Sequence, residues 1–406
     1  MHRRGDNMKF VNRPLYMEKI EKFIDKPVIK VLTGMRRVGK STLLKIISDH
    51  SLNNINENNK IFINLDSLEL LHVRNARDLA EHLKPLIYKS QGKLYFFFDE
   101  IQLVDGWEQV VNGLQVNYEC DIYITGSNSS MLSGDLATRL AGRYVNFEIQ
   151  PFTFSEFGEA FKHLELNKEQ LFQKYIVLGG MPFLHFFDLD ENPSYKYLND
   201  VYHTVMVKDV LEYYQIRDVN ILNRILDYAM ENIGHTFSAL GIHNYLKSEN
   251  RKISVDTVLN YLDYCQKAYL IKKAPRYDTV GKKLLKIEEK YYLTDHGFRQ
   301  ARGFSNQKDI ERVLENIVYI ELLARGYQVK IGKVQDKEID FIAEKEGQLE
   351  YYQISYLMEN ESTRSREFGV YQEIQDNYPK FILSMDIFNF SQKGIIHLNI
   401  IDWLLN

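Results

Sequence analysis

Four short apolar runs mark the first third of the chain, at residues 28–33, 61–65, 94–98 and 122–125, separated by stretches long enough for helices. Their apolar side chains fall largely on consecutive positions instead of alternating, which is the pattern of strands buried on both faces. It predicts a parallel sheet covered by helices on each side, an α/β fold. The first run ends at Gly34. Beyond a glycine-containing turn, Lys40-Ser41-Thr42-Leu43-Leu44-Lys45-Ile46-Ile47 has helical character, so strand, loop and helix follow one another directly.

The pattern changes at Pro151-Phe152-Thr153-Phe154. From 155 to about 217 it is helical, broken by Gly179-Gly180-Met181-Pro182, and predicts a small helical lid. Residues 219–303 read as three helices and then two strands, 271–277 and 286–293, joined by a polar connection that contains Gly281. That is the outline of a winged helix. After the polar stretch 303–308 come a helix at 311–325, strands at 328–333, 338–344 and 350–355, a helix at 364–375 and a strand at 380–384. The expected division is therefore 1–150 for the first α/β domain, 151–217 for the lid, 218–304 for the winged helix and 305–406 for a last α/β domain.

A length of 406 residues agrees with several domains, since one hydrophobic core usually stops growing at ~250 to 300. No apolar run approaches the ~20 residues of a membrane-spanning helix, and the basic N-terminal segment is not followed by the apolar stretch of a secretory signal. Cytoplasmic placement is the expectation. The two cysteines, Cys120 and Cys265, sit in no CxxC pair and have no neighbouring His at ligand spacing, which fits a reducing compartment and leaves no zinc site. A formal net charge of -4 argues against coating nucleic acid through bulk positive charge.

Gly34-Met35-Arg36-Arg37-Val38-Gly39-Lys40-Ser41 satisfies G-x-x-x-x-G-K-[ST] between a predicted strand and a predicted helix. Glycines let a loop close around phosphates, and its backbone N–H groups and the helix N-terminus face their charge. Lys40 would neutralise the β and γ oxygens, and Ser41 would ligate Mg2+. The nucleotide-binding set is Gly34, Arg36, Arg37, Val38, Gly39, Lys40, Ser41 and Thr42, with ATP as ligand. Leu94-Tyr95-Phe96-Phe97-Phe98-Asp99-Glu100 puts two carboxylates at the C-terminal end of an all-apolar strand, where ligands of open α/β sheets bind. Asp99 would hold the metal through water, and Glu100 would orient and deprotonate the attacking water. The next strand runs into Gly126-Ser127-Asn128, where Asn128, or Ser127 beside it, would sense the γ-phosphate; Asn in such a position is otherwise a turn former. Arg139 and Arg143 lie where an arginine finger could reach a neighbouring subunit of a homo-oligomer, surface ion pairing being the alternative.

These elements, with Phe98-Asp99-Glu100-Ile101-Gln102, Leu140-Ala141-Gly142-Arg143-Tyr144 and Gly179-Gly180-Met181-Pro182, give the chain a resemblance to the bacterial and archaeal AAA+-like ATPases that carry a C-terminal domain of unknown function. The resemblance runs nearly end to end. It implies ATP binding and hydrolysis, a helical lid, a winged helix and a restriction-endonuclease-like tail. In that tail, Glu315, Asp340 and Gln353 resemble a nuclease metal site, with Glu321 nearby, but Ser355 stands where the lysine of the pattern belongs. Metal-assisted phosphodiester cleavage needs clustered oxygen ligands plus a positive group near the water, so the tail reads as degenerate unless Lys337 or Lys345 takes that place.

Between residues 220 and 300 there are 13 Lys or Arg against 9 Asp or Glu, a local balance of +4 concentrated around the proposed wing. Double-stranded DNA is therefore a candidate partner, with Ser254 capping the recognition-type helix, although winged helices also dock proteins. Three functions follow. The first is an ATP-driven conformational switch. The second is an ATP-regulated, metal-dependent nuclease, and the third is an ATP-gated DNA-binding regulator with little turnover.

Overall fold

The computed structural model describes residues 11–127, 140, 142–279, 281 and 283–406, with the side chains of 283 and 285–288 left aside. Asn128 and Arg139 lie outside the described residues. The chain forms two compact units, Met1–Ile149 and Gln150–Asn406.

The first unit contains strands β1 (Ile29–Thr33), β2 (Lys60–Asn64), β3 (Leu94–Asp99), β4 (Cys120–Thr125) and β5 (Tyr144–Glu148). All pair in parallel, in the order β2-β3-β4-β1-β5. The consecutive apolar runs form the three central strands. Every residue of β1 and β3 is buried, whereas edge strand β2 alternates buried with exposed positions. Phe96 and Phe98 enter the main core on one face of β3 with Val31, Ile63 and Ile124, while Phe97 stacks on the other face between Phe62 and Tyr123. Lys30 breaks the apolar run of β1; it is fully buried and ion-paired with Asp121 of β4, which also accepts from Tyr123 Oη and Asp25 N at 2.9 Å each. The helices are α1 (Pro14–Glu21), α2 (Lys40–Ile46), α3 (Ala76–Tyr88) and α4 (Trp107–Asn117). Pro14 opens α1 at a position where no N–H is required, and Asn75 caps α3 by accepting from the N–H groups of Arg77 and Asp78.

The second unit starts with helices α5 (Phe154–Ala160), α6 (Lys168–Leu178) and α7 (Glu191–Thr204) in the segment predicted to be helical. Thr153 and Glu156 form a reciprocal capping box at the start of α5. Helices α8 (Val219–Glu231), α9 (Ala239–Ser248) and α10 (Val255–Lys267) lead into the hairpin β6 (Ile271–Asp278) and β7 (Lys283–Leu293). After α11 (Gly297–Ala301) and α12 (Ile310–Arg325) come β8 (Gln328–Val334), β9 (Lys337–Lys345), β10 (Gln348–Ile354), α13 (Glu361–Gly369), β11 (Lys380–Ser384), β12 (Ile395–Asn399) and α14 (Ile400–Leu405). Seven strands make one mixed sheet in the order β12-β11-β10-β9-β8-β6-β7.

Strands β5 and β12 and helix α14 were not expected, and two expected features differ. Strand β6 pairs in parallel with β8, Arg276 opposite Ile331, so the hairpin and the last α/β segment share one sheet across position 304. The helix expected over 364–375 begins earlier, at Glu361, and ends at Gly369 before a 3-10 turn, Val370–Glu373.

Candidate functional site

The loop after β1 is shaped by its glycines. Gly34 has φ +135°, and a Cβ there would lie 2.4 Å from the Ile149 carbonyl oxygen, so this close approach excludes any side chain. Gly39, at φ 94°, turns the chain into α2. Met35 and Val38 are fully buried and anchor the loop, while Arg36 and Arg37 face outward to different degrees and Thr42 is half-buried. Lys40 is buried with its Nζ donating to the carbonyls of Gly34 and Met35 at 3.0 Å each, so the ammonium lies inside the curve of the loop. Arg13, buried beside the loop, donates from Nη1 to the Val38 carbonyl at 3.0 Å.

Because β4 lies between β1 and β3, the C-terminal ends of all three strands converge on this loop. Ser41 Oγ, in the first turn of α2, donates to Asp99 Oδ1 at 2.9 Å, and Thr125 Oγ1 at the end of β4 donates to the same oxygen at 2.6 Å. Thr125 Oγ1 in turn accepts from the backbone N–H of Glu100 at 3.0 Å, which holds Glu100 in a left-handed conformation with φ 55°. Ser127 Oγ donates to Glu100 Oε2 at 2.8 Å. Asp99 is buried, and burial pushes its carboxyl above the usual carboxylate range; nearby Glu100 adds to this, against the hydrogen bonds from Thr125 and Ser41 and the Lys40 charge. A buried carboxylate that lacks a full counter-charge is poised to take a cation.

Lys40, Ser41, Asp99, Glu100 and Ser127 are thus in one place. Arg143 is elsewhere. It is exposed, and its carbonyl accepts from Ile29 N at 2.9 Å at the start of β1, the sheet edge opposite the loop. Within one chain it does not reach the site. Thr125, Arg13 and Gln102 were given no role from sequence. Thr125 carried the clearest signal, a hydroxyl ending the strand beside the Asp99 strand.

In the second unit, Asp340 N donates to Gln353 Oε1 at 3.3 Å, and Asp340 Oδ2 accepts from Ile354 N at 2.8 Å. Glu315 and Asp340 meet around one cation. Lys290 of β7, buried, contacts Glu315 Oε1 at 2.8 Å, Glu338 Oε1 at 2.7 Å and Asp340 Oδ1 at 4.0 Å. Burial disfavours the Lys290 charge, but the three carboxylates outweigh it and raise the ammonium above its ordinary value. Lys337 instead donates to the Gly369 carbonyl at 2.9 Å, Lys345 sits over the Tyr327 ring, and Glu321 pairs with Arg325 at 2.7 Å. The cation that faces these carboxylates therefore comes from 50 residues before Asp340, outside the tail itself.

Residues 26–158 match the family described as AAA domain. An uncharacterized protein of Haemophilus influenzae is 36% identical over 401 residues, which is 97% of this chain and 98% of that protein. The chain belongs to the AAA-type P-loop ATPases. The remainder of this ATPase includes a match, over residues 169–308, to a Domain of unknown function (DUF8612). An uncharacterized protein of Methanocaldococcus jannaschii is 29% identical over 409 residues, 97% of this chain and 88% of that one. In fold the ATPase is similar to a Walker-type ATPase of Pyrococcus abyssi, with TM-score 0.50 and 18% identity over 72% of this chain and 95% of that chain. Among its described residues no helix is long and apolar enough to cross a membrane, and no group of three or more His, Cys, Asp or Glu could hold a metal.

Proposed function

We infer that the chain hydrolyses ATP with Mg2+ at the C-terminal edge of the first sheet and that the nucleotide state is passed on to the second unit. The observation that carries this reading is the chain of hydrogen bonds Ser41–Asp99–Thr125–Glu100 beside a loop whose lysine is drawn inside it. One hydroxyl and one carboxylate suit Mg2+, which usually takes few protein ligands and completes its shell with water and phosphate oxygens. Ser41 and Asp99 would hold the ion, and bound Mg2+ would neutralise charge on the phosphates. Lys40 and the N–H groups of 34–42 bind and orient the phosphate chain. Glu100 accepts the proton of the attacking water, and Asn128 is the proposed sensor of the γ-phosphate. Arg139 and Arg143 are proposed to act on a neighbouring subunit's nucleotide.

For the output, helices α8–α10 with the hairpin β6–β7 are read as a winged helix. The exposed positions of α10 are Asp256, Leu259 and Asn260, and its Asp263 is half-exposed in an ion pair with Lys267. Wing cations Lys273 and Arg276 are paired with Glu289 and Glu338. Among the described residues, such a face suits a protein partner better than the phosphates of double-stranded DNA. The nuclease alternative is weakened by Lys290, whose ammonium takes up the carboxylates a metal would need.

Steady-state ATPase activity of the wild type and Glu100→Gln with Mg2+, each with and without double-stranded DNA, tests the reading. Turnover in the wild type should fall by on the order of 10²- to 10⁴-fold in the variant, the usual contribution of a general base. Tight ATP binding without turnover would leave a nucleotide-gated binding module instead. DNA stimulation would restore DNA as the partner.

A further inference from the structure

Gln102 has no task in the mechanism so far. It lies two residues beyond Glu100 in the 3-10 turn Ile101–Leu103. Its Nε2 donates to Glu100 Oε2, the oxygen that also accepts from Ser127 Oγ at 2.8 Å. Glu100 Oε1 accepts no hydrogen bond among the described residues, and Glu100 is partly exposed. One carboxylate oxygen is therefore tied down from two directions, by the segment after β4 and by the turn after β3, and the other carries no hydrogen bond among the described residues.

The same amide is incomplete at its other end. Gln102 Oε1 is buried with no hydrogen-bond partner among the described residues. Exchanging the amide's O and N would not help, because two oxygens would then face each other at Glu100. A residue kept for the fold would have both ends of a buried amide satisfied, since an unpaired buried acceptor is costly. Such a cost is tolerated where a side chain is held for function.

Resting on the ATPase reading of this site, we propose that Gln102 is a positioning residue for Glu100. With Ser127 it fixes the carboxylate so that Oε1 is the oxygen presented to the attacking water. A glutamate has three side-chain torsions, and a general base works only when it is held close to the productive geometry. Two donors on Oε2 remove that freedom without occupying Oε1. The proton passes from water to Oε1, the water oxygen forms the bond to the γ-phosphorus, and the bond to the β-γ bridging oxygen breaks with ADP leaving.

The test is the full chain carrying Gln102→Leu, which removes the donor and the orphaned acceptor at nearly constant volume. The expected result is a kcat lower by on the order of tenfold, part of the ~10²–10⁴-fold a positioned base supplies, with KM for ATP unchanged and thermal stability unchanged or raised. Ser127→Ala should lower kcat in the same way. In a Glu100→Gln background, Gln102→Leu should cost nothing further, because the residue acts through Glu100. Unchanged kcat, a raised KM with intact kcat, or kcat and melting temperature falling together would each overturn the proposal. A wild type without Mg-ATP turnover sinks the site reading itself, whereas turnover lost in Glu100→Gln but kept in Gln102→Leu sinks the positioning role alone.

Discussion

Asp295 and His296 are adjacent, fully enclosed in the second unit, and titrate in opposite senses. Burial pushes the Asp295 carboxyl up to about 7, against the N–H groups of Gly180 and Gly297 that it accepts at 2.8 Å each. Burial lowers His296 to about 4, opposed by its hydrogen bond to the Tyr175 carbonyl at 2.6 Å. For Asp295 the folded value lies above the unfolded one, so its contribution is fully present below about pH 4 and is lost as pH rises through about 7. For His296 the folded value lies below, so its contribution is present above about pH 6.5 and is lost as pH falls through about 4. Over the same window the two slopes oppose each other. In denaturant titrations between pH 4 and 7, His296→Gln should leave stability falling with pH and Asp295→Asn should leave it rising, each by on the order of a few kcal/mol. Equal slopes in the two variants would show that neither group titrates in that window. The residues of the nucleotide site were legible in a different way: Lys40, Ser41, Asp99 and Glu100 follow from what phosphate and metal chemistry demands at fixed spacing. Thr125, Arg13, Gln102 and Lys290 were not, because their contacts arise from folding, and three of these four reach partners at least 25 residues away.

Strands and helices were read best where one physical signal dominates. The central strands β1, β3 and β4 are apolar on consecutive positions because both faces are covered, and the helical stretch of the second unit carries capping residues at Thr153, Asn167 and Asp190. Strand β12 and helix α14 escaped because β12 is a short edge strand of alternating character. The glycine pair 179–180 ends α6 as read, Gly179 being its C-cap at φ +75°, and it also packs closely: a Cβ there would lie 1.9 Å from Asp295 Oδ1. The hairpin β6–β7 is bound into the larger sheet by β8 and by Lys290, which joins β7 to α12 and β9. Removing one partner of a buried ion pair leaves an uncompensated charge, so Lys290→Met should destabilise the second unit by about 3 to 5 kcal/mol in chemical denaturation. Adding Glu315→Gln and Asp340→Asn should recover part of that loss. No loss in the single variant would mean that the carboxylates are already neutral there.

Each unit has its own sheet, so nucleotide should act first on the one that holds the loop. A non-hydrolysable ATP analogue with Mg2+ at 100 times its Kd should add about 2.7 kcal/mol to unfolding of Met1–Ile149. Lys40→Ala should lose that increment, and an equal increment in both proteins, followed by calorimetry, would place the ligand elsewhere. The sequence by itself determined the parallel α/β core, the phosphate loop and the paired carboxylates, because burial on two faces and phosphate chemistry restrict residue type at local spacing. Only the tertiary structure decided which oxygen of Glu100 accepts no hydrogen bond among the described residues, that Arg143 sits at the far edge of the sheet, and that Lys290 fills the carboxylate cluster of the tail. Those outcomes depend on which distant segments the sheets bring together, and strand order and chain crossing leave no periodic trace along the chain.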